Sequence, residues 1–214
     1  MADFLAKLGL DKLERALLYG IILAAVLALV AKGLHFDYAW FTFFIRWLHV
    51  LSGVMWIGLL WYFNFVQIPS MPKIPDDQKP AVSKVIAPEA LFWFRWAALA
   101  TVVTGLLLAS LNGYVMDALL LGKGAGGKAL AIGIGMWLGL LMAYNVWMII
   151  WPNQQKALGM VEATPDQKKA LGIVTVPAEE KAKAARLAML ISRTNTMLSL
   201  PMLYCMVAQQ NGGL

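Results

Sequence analysis

Apolar and polar residues fall along this chain in long blocks. Five apolar runs, at about 17–31, 41–65, 91–111, 129–151 and 187–207, are separated by polar stretches. A helix needs roughly 20 apolar residues to cross about 30 Å of hydrocarbon. Runs of that length predict spanning helices, because a segment in lipid has to satisfy its backbone polar groups internally. The first run is the shortest, and Leu13–Leu18 extends it as helix. The reading is an all-α integral membrane protein: one domain over residues 1–214, a bundle of about five transmembrane helices. Asp3, Asp11 and Glu14 interrupt the region before the first run, and no small-residue cleavage site follows it. That run is therefore expected to be a retained helix and not a removed signal.

The connections carry their own signals. Segment 66–90 holds Pro69, Pro72, Pro75, Pro80 and Pro88. Proline removes a helical N–H and crowds the preceding turn, so no long helix is expected there. Pro88 and Glu89 suit the first turn of the third helix. In segment 152–186, Thr164-Pro165-Asp166-Gln167 reads as a capping box opening a short helix that Gly172 ends. Pro177 starts another helix, whose charged run Glu179–Arg186 continues into the fifth span. Small residues recur at four-residue spacing on two helices: Ala97, Thr101, Gly105 and Ala109 on the third, Ala131, Gly135, Gly139 and Ala143 on the fourth. Such stripes let backbones approach, and they predict that these two helices pack tightly on each other. Making room for a planar cofactor is the less common use of such glycines. Pro201 is expected to kink the fifth helix.

Composition and charge sharpen this picture. The chain is 60% hydrophobic and 14% charged, against about 45–50% and about 25% in an ordinary soluble domain. One side of the predicted bundle carries Lys7, Lys12, Arg15, Lys73, Lys79, Lys84, Lys156, Lys168, Lys169, Lys181, Lys183 and Arg186; the other carries Lys32, Arg46, Lys123 and Lys128. The positive-inside rule then places the N-terminus in the cytoplasm and the C-terminus on the opposite side of the membrane. The net charge of +6 reads as topology and attraction to anionic lipid. No basic, aromatic-interleaved patch outside the spans points to nucleic acid.

Several chemistries are missing from the sequence. A single cysteine, Cys205, excludes an internal disulfide, and there is no C-x-x-C-H for covalent haem. There is no P-loop, H-E-x-x-H or G-x-S-x-G motif. No Asp or Glu lies within a predicted span, which removes a carboxylate relay or a carboxylate-bridged metal pair.

Ionisable groups inside a span are costly and usually functional. His49 lies about nine residues into the second predicted helix, about 13 Å along it. It shares a helical face with Gly53, Trp56, Leu60 and Asn64. A histidine with a glycine one turn away suits b-type haem: the imidazole ligates iron and the missing side chain admits the ring. The other histidine, His35, falls in the loop after the first helix. Met136 or Met202, expected at similar depth, is a candidate second ligand. Copper held by His49 with methionine ligands is an alternative metal site, and so is a histidine that only bonds a neighbouring helix. A second polar set, Asn64, Arg95, Asn145, Arg193 and Asn195, lies toward the cytoplasmic ends of the helices among aromatic residues. Amides and guanidinium groups in that setting suit a planar anionic heterocycle as substrate. Interhelix bonding and arginines reaching for the interface are the more common use.

Four sequence blocks carry a family resemblance. They are Arg46-Trp47-Leu48-His49 through Trp56-Ile57-Gly58 and on to Tyr62-Phe63-Asn64-Phe65-Val66-Gln67; Pro88-Glu89-Ala90-Leu91-Phe92-Trp93-Phe94-Arg95-Trp96; Asn145 through Gln155; and Ser192-Arg193-Thr194-Asn195-Thr196 through Leu200-Pro201-Met202. Together they resemble the membrane domain of bacterial membrane-bound urate oxidases (urate hydroxylases), over roughly residues 40–210. The resemblance implies urate oxidation coupled to a respiratory chain, with electrons leaving through a cytochrome c domain. The sequence given departs from that pattern: it stops at Leu214 and has fewer predicted helices than the family's membrane domain, so the expectation is either a cytochrome on a separate polypeptide or a branch that does something else. A bacterial family of this kind also implies the inner membrane, with the C-terminus in the periplasm.

Two functions follow from these readings. One is a redox protein that binds haem b and passes electrons within a membrane complex. The other is a structural or accessory subunit that binds no cofactor. Both call for a partner membrane protein or a separate cytochrome c.

Overall fold

The computed structural model describes residues 1, 6–32, 36–122, 127–160 and 176–213. Among them the chain is helical with no strand, and four helices are long and apolar enough to cross a membrane. The protein is an all-α membrane bundle. His35, Lys123, Lys168, Lys169 and the expected short helix at 164–172 lie outside the described residues.

The described residues form two units, 1–43 and 44–214. The first contains α1 (Leu13–Lys32). None of its most apolar stretch is buried within the structure, so its side chains are left for lipid. The Tyr19 hydroxyl donates to the Leu8 carbonyl at 2.9 Å.

Helix α2 (Tyr38–Trp61) opens where Asp37 caps it: Asp37 Oδ1 accepts from the Trp40 N–H at 2.7 Å. A side-chain acceptor there satisfies one of the N–H groups a helix start leaves without a partner. Helix α3 (Ala87–Leu111) has Pro88 and Glu89 in its first turn, as expected. It ends in a left-handed glycine, Gly113 (φ +75°), with the Tyr114 N–H returning to the Ala109 carbonyl at 3.1 Å. That reversal also delivers the short helix α4 (Val115–Leu119). Helix α5 spans Gly127–Tyr144 and α6 spans Ala178–Gln210. Glu179 and Glu180 open α6, which runs unbroken through Pro201. Its 33 residues suffice for a span, but Ser192, Arg193, Asn195 and Ser199 dilute its apolar character, and it is not one of the four.

The proline-rich stretch departs from expectation. Helix continues from α2 to Lys73 and resumes at Lys79. The chain accommodates the prolines by widening. Three π-helical segments, Tyr62–Gln67, Val82–Ile86 and Asn145–Ile150, each end two residues before a proline: Pro69, Pro88 and Pro152. A proline ring crowds the carbonyl four residues back and offers it no N–H. A π turn relieves this by pairing five residues apart.

The expected tight pairing of the third and fourth helices is also corrected. Helix α5 lies chiefly against α6. A Cβ on Gly135 would sit 3.2 Å from the Cys205 side chain and 3.6 Å from the Met202 carbonyl, both on α6. A Cβ on Gly133 would meet the Ala118 carbonyl of α4 at 2.4 Å. Small residues on α5 therefore admit α6 and α4. The main core joins Trp56, Leu60, Phe63, Phe94, Met142 and Val146.

Candidate functional site

The candidate ligand site is a cavity of about 550 Å³ enclosed by α2, α3, α5 and α6. That lies within the range of about 300–1,000 Å³ usual for small-molecule and cofactor pockets. His49, Gly53, Met136 and Met202 all line it, so the structure brings together the four residues singled out for a cofactor. The remaining lining is almost wholly aliphatic or aromatic, apart from Thr101. Val50, Val54 and Val207 belong to the lining and are also more than half exposed, so the cavity opens sideways toward the lipid.

His49 is held from α3. Its Nδ1 lies 3.0 Å from the Thr101 carbonyl and 3.2 Å from Thr104 Oγ1. A carbonyl only accepts, and the Thr104 hydroxyl donates its proton to the Ala100 carbonyl at 2.6 Å. Nδ1 is therefore the protonated nitrogen, and Nε2 keeps its lone pair. Gly105 makes this seat possible: a Cβ there would stand 2.9 Å from His49 Cε1. Around the same cavity, Gly58 and Gly139 would place a Cβ in open space, and Gly53 would touch only Thr101 Cγ2 at 3.9 Å. These glycines hold volume open.

Trp56, two turns along α2 from His49, also lines the cavity. It is 1% exposed, and its Nε1 has no hydrogen-bond partner. Such groups are rare and each calls for an explanation.

The second polar set behaves differently. Asn145 Nδ2 donates to Asn195 Oδ1 at 2.8 Å, and Asn195 Nδ2 donates to the Met142 carbonyl at 2.9 Å, tying α5 to α6. Asn64 Nδ2 donates to Ser192 Oγ at 2.8 Å, and Trp61 Nε1 to Ser199 Oγ at 3.1 Å, tying α2 to α6. The Arg95 guanidinium stacks on Trp151, 3.3 Å from the ring centre, with Trp147 at 5.6 Å. Arg193 is exposed on α6. These amides tether helices. Asn64 Oδ1, Gln67 Oε1 and Trp147 Nε1 remain buried without partners.

Thr104 and the orphaned Trp56 N–H were not singled out from sequence. Gly105 and Gly139 were visible as stripe members, but their part in the cavity depends on which helix each stripe faces. Among the described residues no group of three or more His, Cys, Asp or Glu is placed to hold a metal ion. Searched against family models, curated proteins and solved structures, the chain matches none.

Proposed function

We propose that the protein is a membrane redox protein that holds haem b in this cavity through His49 and passes electrons within a membrane complex. One observation carries the reading: an imidazole with Nδ1–H fixed on a backbone carbonyl and a free Nε2, on the wall of an apolar cavity. Ligating histidines characteristically donate their other N–H to a carbonyl or carboxylate, which fixes tautomer and ring orientation. The thioethers of Met136 and Met202 are candidate second ligands. Copper fits less well, because a bare ion needs no cavity of this size and only methionines stand near. Haem, when bound, supplies one-electron chemistry; the chain supplies the ligand, its orientation and the exclusion of water.

The further particulars belong to the same proposal. The chain crosses a bacterial inner membrane five times with its N-terminus in the cytoplasm, the fifth span lying in α6. Electrons pass to a partner membrane protein or a separate cytochrome c. The four-block resemblance supports urate or a related compound as the ultimate donor. The alternative, a structural subunit without chemistry, is favoured by the tethering of the second polar set.

Gently isolated protein should show a Soret band, and His49→Ala should abolish it while the protein still elutes as a folded species. A wild type that never acquires a Soret band, even when offered haem, sinks the haem reading in favour of the structural one.

A further inference from the structure

The cavity is packed at both ends and open at one side. At one end Trp56, Ile57 and Met202 belong both to its wall and to the main core, which continues through Leu60, Phe94 and Met142. At the other end Met136 and Met206 line it and join a second packed cluster with Ala109, Ala118 and Ile132. The open side is framed by α2 and α6. These helices run antiparallel: Trp61 donates to Ser199, and Asn64, further along, donates to Ser192, further back. Val54 lies two turns before Trp61 and Val207 about two turns after Ser199. Both therefore stand about 11 Å from the bonded level, in the same direction. There Val54 is 67% exposed and Val207 63%, yet both line the cavity. The pair is bonded at one level and leaves a gap at the other. Among the described residues, no Lys, Arg, Asp or Glu lines the cavity, so the wall offers no partner to a charge.

We propose that the gap between α2 and α6 is a lateral portal through which the cavity takes its ligand from the bilayer, and that the ligand is a lipid-dissolved ring with no charge on the part that enters. The inference rests on the haem reading for the ring and adds the route and the charge rule. An ion entering from lipid would meet no partner in the wall, which is costly. An apolar ring loses nothing on that path, because it passes from acyl chains to an aliphatic and aromatic lining. His49 stands just inside: Val50 follows it in the chain, and Gly53 and Val54 lie about one turn on. A ring passing the two valines therefore reaches the imidazole without any helix being unpacked.

The test uses the full chain in phosphatidylcholine vesicles. In the first arm some lipids carry a diazirine midway along an acyl chain, whose carbene inserts on irradiation into whatever it touches, and peptide sequencing maps the sites. Met136 and Met202 are buried from the outer surface, so label there reports an acyl chain inside the cavity. Both should be labelled in the wild type. The double variant Val54→Phe, Val207→Phe should lose most of that label, because a chain tethered to its headgroup has to lie through the portal. Leu51→Phe, exposed on α2 but off the wall, should keep it. The second arm offers metal-free protoporphyrin IX dimethyl ester in the vesicles, and uroporphyrin, a macrocycle with carboxylates all round its edge, in the water. The ester should bind. The double variant should slow its binding and release about tenfold, the size of one overpacking clash placed in the barrier, and change its affinity less than either rate. Uroporphyrin should not bind. Unlabelled methionines, label or rates that the double variant leaves unchanged, or uroporphyrin bound as tightly as the ester would each overturn the portal. Labelled methionines with no porphyrin bound would keep the route and sink the haem reading. Porphyrin bound with the methionines unlabelled would do the reverse.

Discussion

Two polar layers of the same bundle make opposite use of the same kinds of residue. In the layer of Asn64, Asn145 and Asn195, donors on three helices close onto partners, and the surrounding space is filled by Phe63, Met142 and Val146. In the layer of His49 and Trp56, one nitrogen is fixed and two ring positions are left open beside glycines that enclose volume. Inside a membrane an unsatisfied polar atom is expensive, and both layers hold some: Trp56 Nε1 in one, Asn64 Oδ1, Gln67 Oε1 and Trp147 Nε1 in the other. The difference is that His49 and Trp56 line the cavity and those three residues do not. The contrast locates the ligand site better than the count of polar residues in either layer, since the closed layer has more of them.

The contrast can be broken by removing closure. Asn195 is fully buried and serves both Asn145 and the Met142 carbonyl. Asn195→Ala leaves the Asn145 amide without its acceptor and opens a small void. Interhelix bonds in membranes average about 0.6 kcal/mol and reach about 1.7, so two lost together should cost about 1–2 kcal/mol. Denaturant or thermal unfolding in detergent should show that loss, while porphyrin affinity stays within about twofold, a change below 0.5 kcal/mol. A porphyrin site that collapses with this change would mean the two layers are one site.

The opposite signature belongs to Gly105. Its missing Cβ leaves the space that the His49 ring occupies. Gly105→Ala forces the imidazole off its bonds to Thr101 and Thr104. Overpacking typically costs about 1–3 kcal/mol, and here the ring can yield into the cavity, so the fold should lose less than in the Asn195 variant. Iron-porphyrin binding should fall about tenfold, with a shifted Soret maximum, because the ligand's direction changes. An unchanged spectrum would show that His49 is not the ligand.

The sequence made some of this legible. The His49–Gly53 face of α2 needed only the helical period, and Met136 and Met202 needed only depth counted along their spans; all four line the cavity. What failed depended on helix-to-helix register. A small-residue stripe says that a face is in close contact but not with which neighbour, and Gly135 of the fourth helix's stripe meets α6. Thr104 was illegible for the same reason, since its role exists only once α3 is set against α2. The prolines misled differently. Pro69 counted among the prolines that should deny segment 66–90 a long helix, but it sits just past a π turn that absorbs it, as Pro88 and Pro152 do, and no propensity scale records that option.

Gly139 gives the finest test of the contrast, because it is a stripe glycine with nothing to clash against. A Cβ there meets no atom within 4 Å, whereas one on Gly135, a turn away on α5, would press on α6. Were the stripe purely a packing device, Gly139→Ala would fill an idle gap. It should then be neutral or stabilising, since alanine is preferred to glycine within a helix by about 1 kcal/mol, with no effect on any ligand. Were Gly139 holding volume for a planar ring, the same methyl would leave the apoprotein as stable or slightly more so, yet lower porphyrin affinity by a factor of about two to five, the effect of one methyl-sized intrusion on a ring that can shift sideways toward the lipid. The two readings therefore agree on stability and part on affinity. We expect the second outcome, measured as porphyrin titrations of wild type and Gly139→Ala side by side, with Gly135→Ala as the control that should lose stability instead.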